Sequence, residues 1–191
     1  MYIKNFQDYS RLSTPVPITD QCWGDGVEPF VSIFCLTFNH VHFIRDAIEG
    51  FLIQRTTFSV EILVHDDAST DGTLEIVQEY EKRYPKLIFP IYQKENQYSK
   101  GIDPFTKFLI PRARGKYISV CDGDDWWIDP LKLQKQVNIF DVYPDTIICG
   151  ARAKTWNENR KEFTVVKPAL DKDIACMTPE HFFYLGDWVK N

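Results

Sequence analysis

The chain has no excess of basic charge. Its 191 residues carry 22 lysines and arginines against 27 aspartates and glutamates, a formal net charge of −5. That excludes a nucleic-acid partner, because binding a phosphate backbone needs a basic surface. It does not oppose an anionic nucleotide that is bridged by a metal ion. No apolar run approaches the ~18 residues that a membrane-spanning helix needs. Residues 1–9 contain no apolar h-region, so a signal peptide is not expected. The five cysteines (Cys22, Cys35, Cys121, Cys149, Cys176) are odd in number and form no CxxC pair, and the four histidines lack ligand spacing with them. Zinc is therefore not expected, and the thiols point to a reducing, cytoplasmic compartment. Peripheral contact with the inner face of the membrane remains compatible. No internal repeat or low-complexity segment is evident.

What is present is ordinary globular usage, 44% hydrophobic and 26% charged, with a high aromatic share of 15%. Residues 1–30 carry Pro15, Pro17, Gly24, Gly26 and Pro29, and read as an irregular arm with short extra elements. Residues 31–36 and 60–65 are short apolar strand-type runs. Between them Phe43, Ile44, Ala47, Ile48, Phe51 and Leu52 fall on one face of a helix. A second helix is expected from about Thr70, capped by Ser69 or Thr70, with Leu74, Val77, Tyr80 and Tyr84 facing inward. Residues 87–92 read as an edge strand, since Pro90 cannot donate to a ladder. Residues 103–113 read as helical despite Pro104 and Pro111, and residues 116–121 as a buried strand. Asp129-Pro130 reads as a helix start, and 146–150 as a further strand. Strands alternating with helices predict an α/β fold with a mostly parallel sheet and helices on both faces. Ligands bind such sheets at the carboxyl ends of the strands.

Three of those ends are chemically unusual. They carry Thr37-Phe38-Asn39-His40, Asp66-Asp67-Ala68-Ser69, and the tetrad Asp122-Gly123-Asp124-Asp125. Carboxylates so close repel and raise one another's pKa unless a cation neutralises them. Mg²⁺ or Mn²⁺ would do so, because hard ions take oxygen ligands and share them with substrate phosphates. The tetrad fails as an EF-hand loop, since Trp127 stands where glycine is needed and Leu133 where the bidentate glutamate belongs. Trp126-Trp127 reads equally as core and as a ligand platform. His65 reads as a packed strand residue, and residues 94–100 as a solvated loop.

In order and spacing these segments resemble the family 2 glycosyltransferases of the GT-A (Rossmann-like) fold. The resemblance rests on Leu36-Thr37-Phe38-Asn39, on His65 to Thr73, and on Arg114-Gly115-Lys116-Tyr117-Ile118 followed by the tetrad. It implies a donor core over 31–150, with 151–191 as the start of an acceptor-side region cut short. It implies a nucleotide-sugar donor, UDP-sugar first, and inverting transfer to a saccharide or lipid-linked acceptor. Asp67 would then accept a hydrogen bond from the base, with Asp66 beside it. Leu36, Thr37, Phe38 and Asn39 would wrap base and ribose, and Lys100 could meet a phosphate. Asp122 and Gly123 would lie near the ribose, and Asp124 with Asp122 would hold the metal. Inversion needs a carboxylate base beyond the metal motif. Asp187 is the choice among Glu180, His181 and Asp187. Two rivals are a sugar-nucleotide pyrophosphorylase, whose Gly-rich basic signature is missing from 31–39, and a catalytically inactive nucleotide-sugar-binding module.

Overall fold

A computed structural model describes residues 10–151, 153–157, 161–166 and 176–177. The chain divides into two compact units, Met1–Leu133 and Gln134–Asn191. In the first unit, β1 (Val16–Pro17) belongs to the N-terminal arm. It is followed by β2 (Val31–Thr37), α1 (Ile44–Leu52), β3 (Arg55–Thr56), β4 (Val60–Asp66), α2 (Thr73–Arg83), β5 (Ile88–Tyr92) and β6 (Tyr117–Val120). β1 pairs antiparallel with β3. The main sheet is parallel, in the order β5-β4-β2-β6.

β2 and β4 are buried at nearly every position because both faces of the sheet are covered. On one face Phe34, Leu63, Ile91 and Leu109 form a buried cluster, joined by Phe89, Phe105 and Phe108. Ile33, Cys35, Ile62 and Val64 alternate to the other face, the side taken by α1 and α2. Burial pushes the Cys35 thiol pKa up, with Cys121 beside it adding to the effect, so Cys35 is an inert apolar filler.

Several sequence expectations are corrected. α2 starts at Thr73 rather than near Thr70, and its N-cap is Gly72 at φ +106°, with no side-chain cap. Ser69 and Thr70 are occupied elsewhere, as described below. The helix expected over 103–113 is a π-helical turn, Phe105–Leu109, followed by a 3₁₀ turn, Ile110–Arg112. Pro111 has no N–H to continue a regular ladder. Among the described residues β6 is an edge strand with Ile118 and Val120 exposed, not a buried strand. α3 (Lys132–Val142) begins beyond Pro130; Asp129 caps the turn before it, its Oδ1 accepting from Leu131 N at 2.9 Å. The strand expected at 146–150 is only β7 (Ile148–Cys149). In the second unit it pairs antiparallel with β10 (Cys176–Met177), and β8 (Ala153–Asn157) pairs antiparallel with β9 (Glu162–Val166).

The start of β6 is fixed by a buried carboxylate. Glu61 accepts from Ser32 Oγ at 2.6 Å, Arg114 N at 2.8 Å and Arg114 Nε at 2.8 Å, and pairs with the outer guanidinium nitrogen at 2.7 Å. Gly115 N donates to Ser32 Oγ, and a side chain there would strike Ser32 N at 2.5 Å. Removing the carboxylate strands these donors, so Glu61→Ala should destabilise the fold by about 1–3 kcal/mol. Urea unfolding of the two proteins measures this.

Candidate active site

β2 is central in the sheet, and its last carbonyls bond outward to both neighbours. Asp67 N donates to Thr37 O at 2.9 Å, and Gly123 N donates to Leu36 O at 2.7 Å. With strands about 4.8 Å apart, the segments after β4 and β6 stand about 10 Å from each other across β2. Between them lies a cleft of about 280 Å³. The end of β2 contributes Leu36, Thr37, Phe38 and His40 to its walls, and the tetrad contributes Asp122 and Asp124. His65 and Asp67 come from β4 and its end, and Asn96, Tyr98 and Pro104 from the chain that follows β5.

The two adjacent aspartates have different tasks. Asp66 is fully buried, and its Oδ1 accepts from Ser69 N at 3.0 Å, closing the turn after β4. It is not among the lining residues. Asp67 lines the cleft, and its two oxygens accept from Gln97 N at 2.8 Å and Tyr98 N at 3.0 Å. It therefore fixes the loop after β5 to the end of β4 while keeping lone pairs for a ligand.

The loop after β2 is tied to the loop after β4. Asn39 N donates to Ser69 Oγ at 2.9 Å, and Thr70 N donates to Asn39 Oδ1 at 2.9 Å. Val41 N donates to Asp71 Oδ2 at 3.0 Å. Asn39 (φ 56°) and Ala68 (φ 68°) both lie in the left-handed region. Asn39 thus holds the loop's shape and does not line the cleft. Lys100 pairs with the Glu95 carboxylate and also stays outside the walls.

Gly123 is required by close approach, since a Cβ there would stand 2.7 Å from Thr37 Oγ1 and 2.9 Å from His40 Nδ1. Those two atoms, His65 Nδ1 and Asp66 Oδ2 are buried without a hydrogen-bond partner among the described residues. His65 stacks on Phe108 (centroids 5.2 Å apart, 24° between planes), and its Nε2 meets Gln93 Nε2 at 3.1 Å. Burial lowers its pKa against the pull of Asp67 and Asp66, so the ring is neutral at pH 7. Of the two tryptophans, Trp127 is core, edge-on to Phe51 at 4.9 Å, while Trp126 is exposed.

Asp122 is exposed by area, yet protein crowding around its carboxyl raises its pKa, and Asp124 and Asp125 raise it further. His40 opposes the shift. Among the described residues no group of three or more His, Cys, Asp or Glu could hold a metal ion by itself. A pair of carboxylates carrying uncompensated charge nevertheless suits Mg²⁺ or Mn²⁺, which complete their shells with water and substrate phosphates. Glu180, His181 and Asp187 lie outside the described residues.

The profile of glycosyl transferase family 2 matches residues 32–184. This chain belongs to that family. An uncharacterized protein of Mycobacterium tuberculosis is 45% identical over 119 residues, covering 62% of this chain and 34% of its own length. The chain thus spans about a third of the length of these relatives. The fold is shared with mannosyltransferase PcManGT of Pyrobaculum calidifontis, solved with GDP-Man and Mn²⁺. That match has a TM-score of 0.55 and 20% identity, and covers 72% of this chain and 40% of the other. S. aureus TarS 1-349, solved with UDP-GlcNAc, matches with a TM-score of 0.51 and 26% identity over 60% of this chain and 32% of its own. The GT-A fold expected from the motifs is the fold observed.

Asn96 and Tyr98, from a segment that reads in sequence as a solvated loop, and Pro104 carry no motif that marks them as part of the site. Asp67 holds the backbone that carries Asn96 and Tyr98 to the cleft, through the amides of Gln97 and Tyr98. The Asp122 environment gives a prediction. A carboxyl whose pKa is raised on folding holds its proton more tightly in the folded state. Its contribution is therefore present below the ordinary value of 3.8 and is lost as pH rises through the folded pKa. In metal-free protein, Asp122→Asn should raise the melting temperature at pH 7 and leave it nearly unchanged below pH 3.8. Thermal melts across pH in chelator measure both limits.

Proposed function

We propose that this chain carries the donor-binding part of a glycosyltransferase that uses a nucleoside-diphosphate sugar and a divalent ion, Mg²⁺ or Mn²⁺. One observation carries the reading: Asp67, Asp122 and Asp124, from two different strand ends, line a single cleft at the carboxyl edge of a parallel sheet. UDP-sugar is the first donor to consider, by the likeness to a TarS structure solved with UDP-GlcNAc.

In this reading Asp67 accepts a hydrogen bond from the base, using lone pairs not taken by Gln97 and Tyr98. Leu36, Thr37, Phe38 and His40 wrap base and ribose, with Asn39 holding their loop, and Gly123 lets the tetrad approach Thr37. Asp66 acts from behind, by keeping the turn that presents Asp67. Lys100 would have to leave Glu95 before meeting a phosphate. Asp124, with Asp122, would hold the ion. The ion would supply positive charge against the leaving diphosphate, which gains charge in the transition state. Transfer with inversion to a saccharide or lipid-linked acceptor would use a carboxylate base, for which Asp187 is the candidate. Residues 31–150 would form the donor core and 151–191 the start of the acceptor side. A cytoplasmic location is part of the proposal; no helix among the described residues is long and apolar enough to cross a membrane.

Calorimetric titration tests the reading. UDP should bind in Mn²⁺ and much more weakly in chelator, and Asp124→Asn should remove at least tenfold of the metal-dependent affinity, a little over 1 kcal/mol. Failure of every nucleoside diphosphate to bind in the presence of metal would overturn it. Binding without hydrolysis or transfer would favour the inactive binding module.

A further inference from the structure

The loop after β5 is built with unusual care around a side chain that is left in water. Residues 98–100 form a 3₁₀ turn closed by Gly101 at φ +75°, whose N–H donates to Tyr98 O at 2.9 Å. Asn96 Oδ1 accepts from Ser99 N at 2.7 Å, and Ile102 N donates to Gln97 O at 3.2 Å. Asp67 then holds the backbone at Gln97 and Tyr98. Five polar contacts of this kind fix where Tyr98 sits, yet Tyr98 is 75% exposed. It lines the same cleft as Phe38, which is 42% exposed. A tethered backbone carrying an uncovered aromatic ring is the arrangement of a wall waiting for a flat partner. Stacking is tolerant of which base is bound, because every base has a π-face.

We infer that Tyr98 is a stacking wall for the nucleobase of the donor, forming with Phe38 an aromatic slot whose position is set by the Asp67 carboxylate. The inference rests on the donor reading above and adds a base-binding residue to it. Asp67 thereby acts twice, once on the base edge and once by placing the ring that covers its face. Exchange of the loop would then change base affinity without touching the metal-binding carboxylates.

The test uses the 191-residue chain with UDP as probe in excess Mn²⁺. Tyr98→Ala should weaken UDP binding by roughly 10- to 100-fold, the effect of losing one stacked base. Tyr98→Phe should stay within about threefold of the parent. Hydrogen exchange at the amides of residues 97 and 98 should remain slow in Tyr98→Ala, marking an intact turn. The inference is overturned if Tyr98→Ala binds like the parent, if Tyr98→Phe loses as much as Tyr98→Ala, or if the two amides exchange freely in Tyr98→Ala. A parent chain that binds no nucleoside diphosphate overturns the donor reading itself, and this inference with it.

Discussion

The structure depends on the last two carbonyls of β2. Leu36 O takes Gly123 N and Thr37 O takes Asp67 N, so the segments after β6 and β4 are hydrogen-bonded to one strand end. Parallel register does the rest. β4 runs beside β2 from Val31↔Val60 to Thr37↔Asp66, and β6 from Val31↔Tyr117 to Phe34↔Val120. Both neighbours reach the same edge together, and their first polar residues face one opening. Glu61 secures the far end of this arrangement by holding Arg114 and Ser32. Three carboxylates can then share a cleft although two of them lie more than fifty residues from the third in the chain.

The chemistry follows from how that charge is divided. Asp66 is spent on its own turn, and Asp67 shares its oxygens between a loop backbone and the opening. Among the described residues no such donor reaches the Asp122 carboxyl, whose pKa rises by crowding and by like charge. At one strand end Asp67 is held by backbone donors, and the other is left with charge that a cation would relieve. That asymmetry suits a ligand with a hydrogen-bonding ring at one end and phosphates at the other.

Much of this was legible in the sequence. The runs at 31–36 and 60–65 hold apolar residues at several successive positions (33–36 and 62–64), as strands covered on both faces do, and they lie within one residue of the observed strands. The alternation of element types carried the fold class, and the three polar strand ends marked the cleft edge. The start of α2 was not legible, because Ser69 and Thr70 are good caps in isolation but are held by Asn39 across the loops. The exposure of Ile118 and Val120 was hidden, since strand position in a sheet is a property of topology and not of the local run. Tyr98 was hidden for another reason: backbone amides bound by Asp67 position it, and amides leave no mark on composition.

Gly50 lies on α1, outside the cleft, yet its missing side chain matters to the acidic loop. A Cβ there would stand 2.8 Å from Trp127 N and 2.9 Å from Trp127 O. The stretch beyond the tetrad also rests on Arg55 N, which donates to Pro130 O at 2.7 Å, and on Gln54 Nε2, which donates to Asp129 O at 2.8 Å. The tetrad is therefore clamped from behind as well as from β2. Substitutions along the back of α1 would shift Asp124 by leverage, so a variant screen confined to the residues that touch a ligand would overlook part of what tunes it.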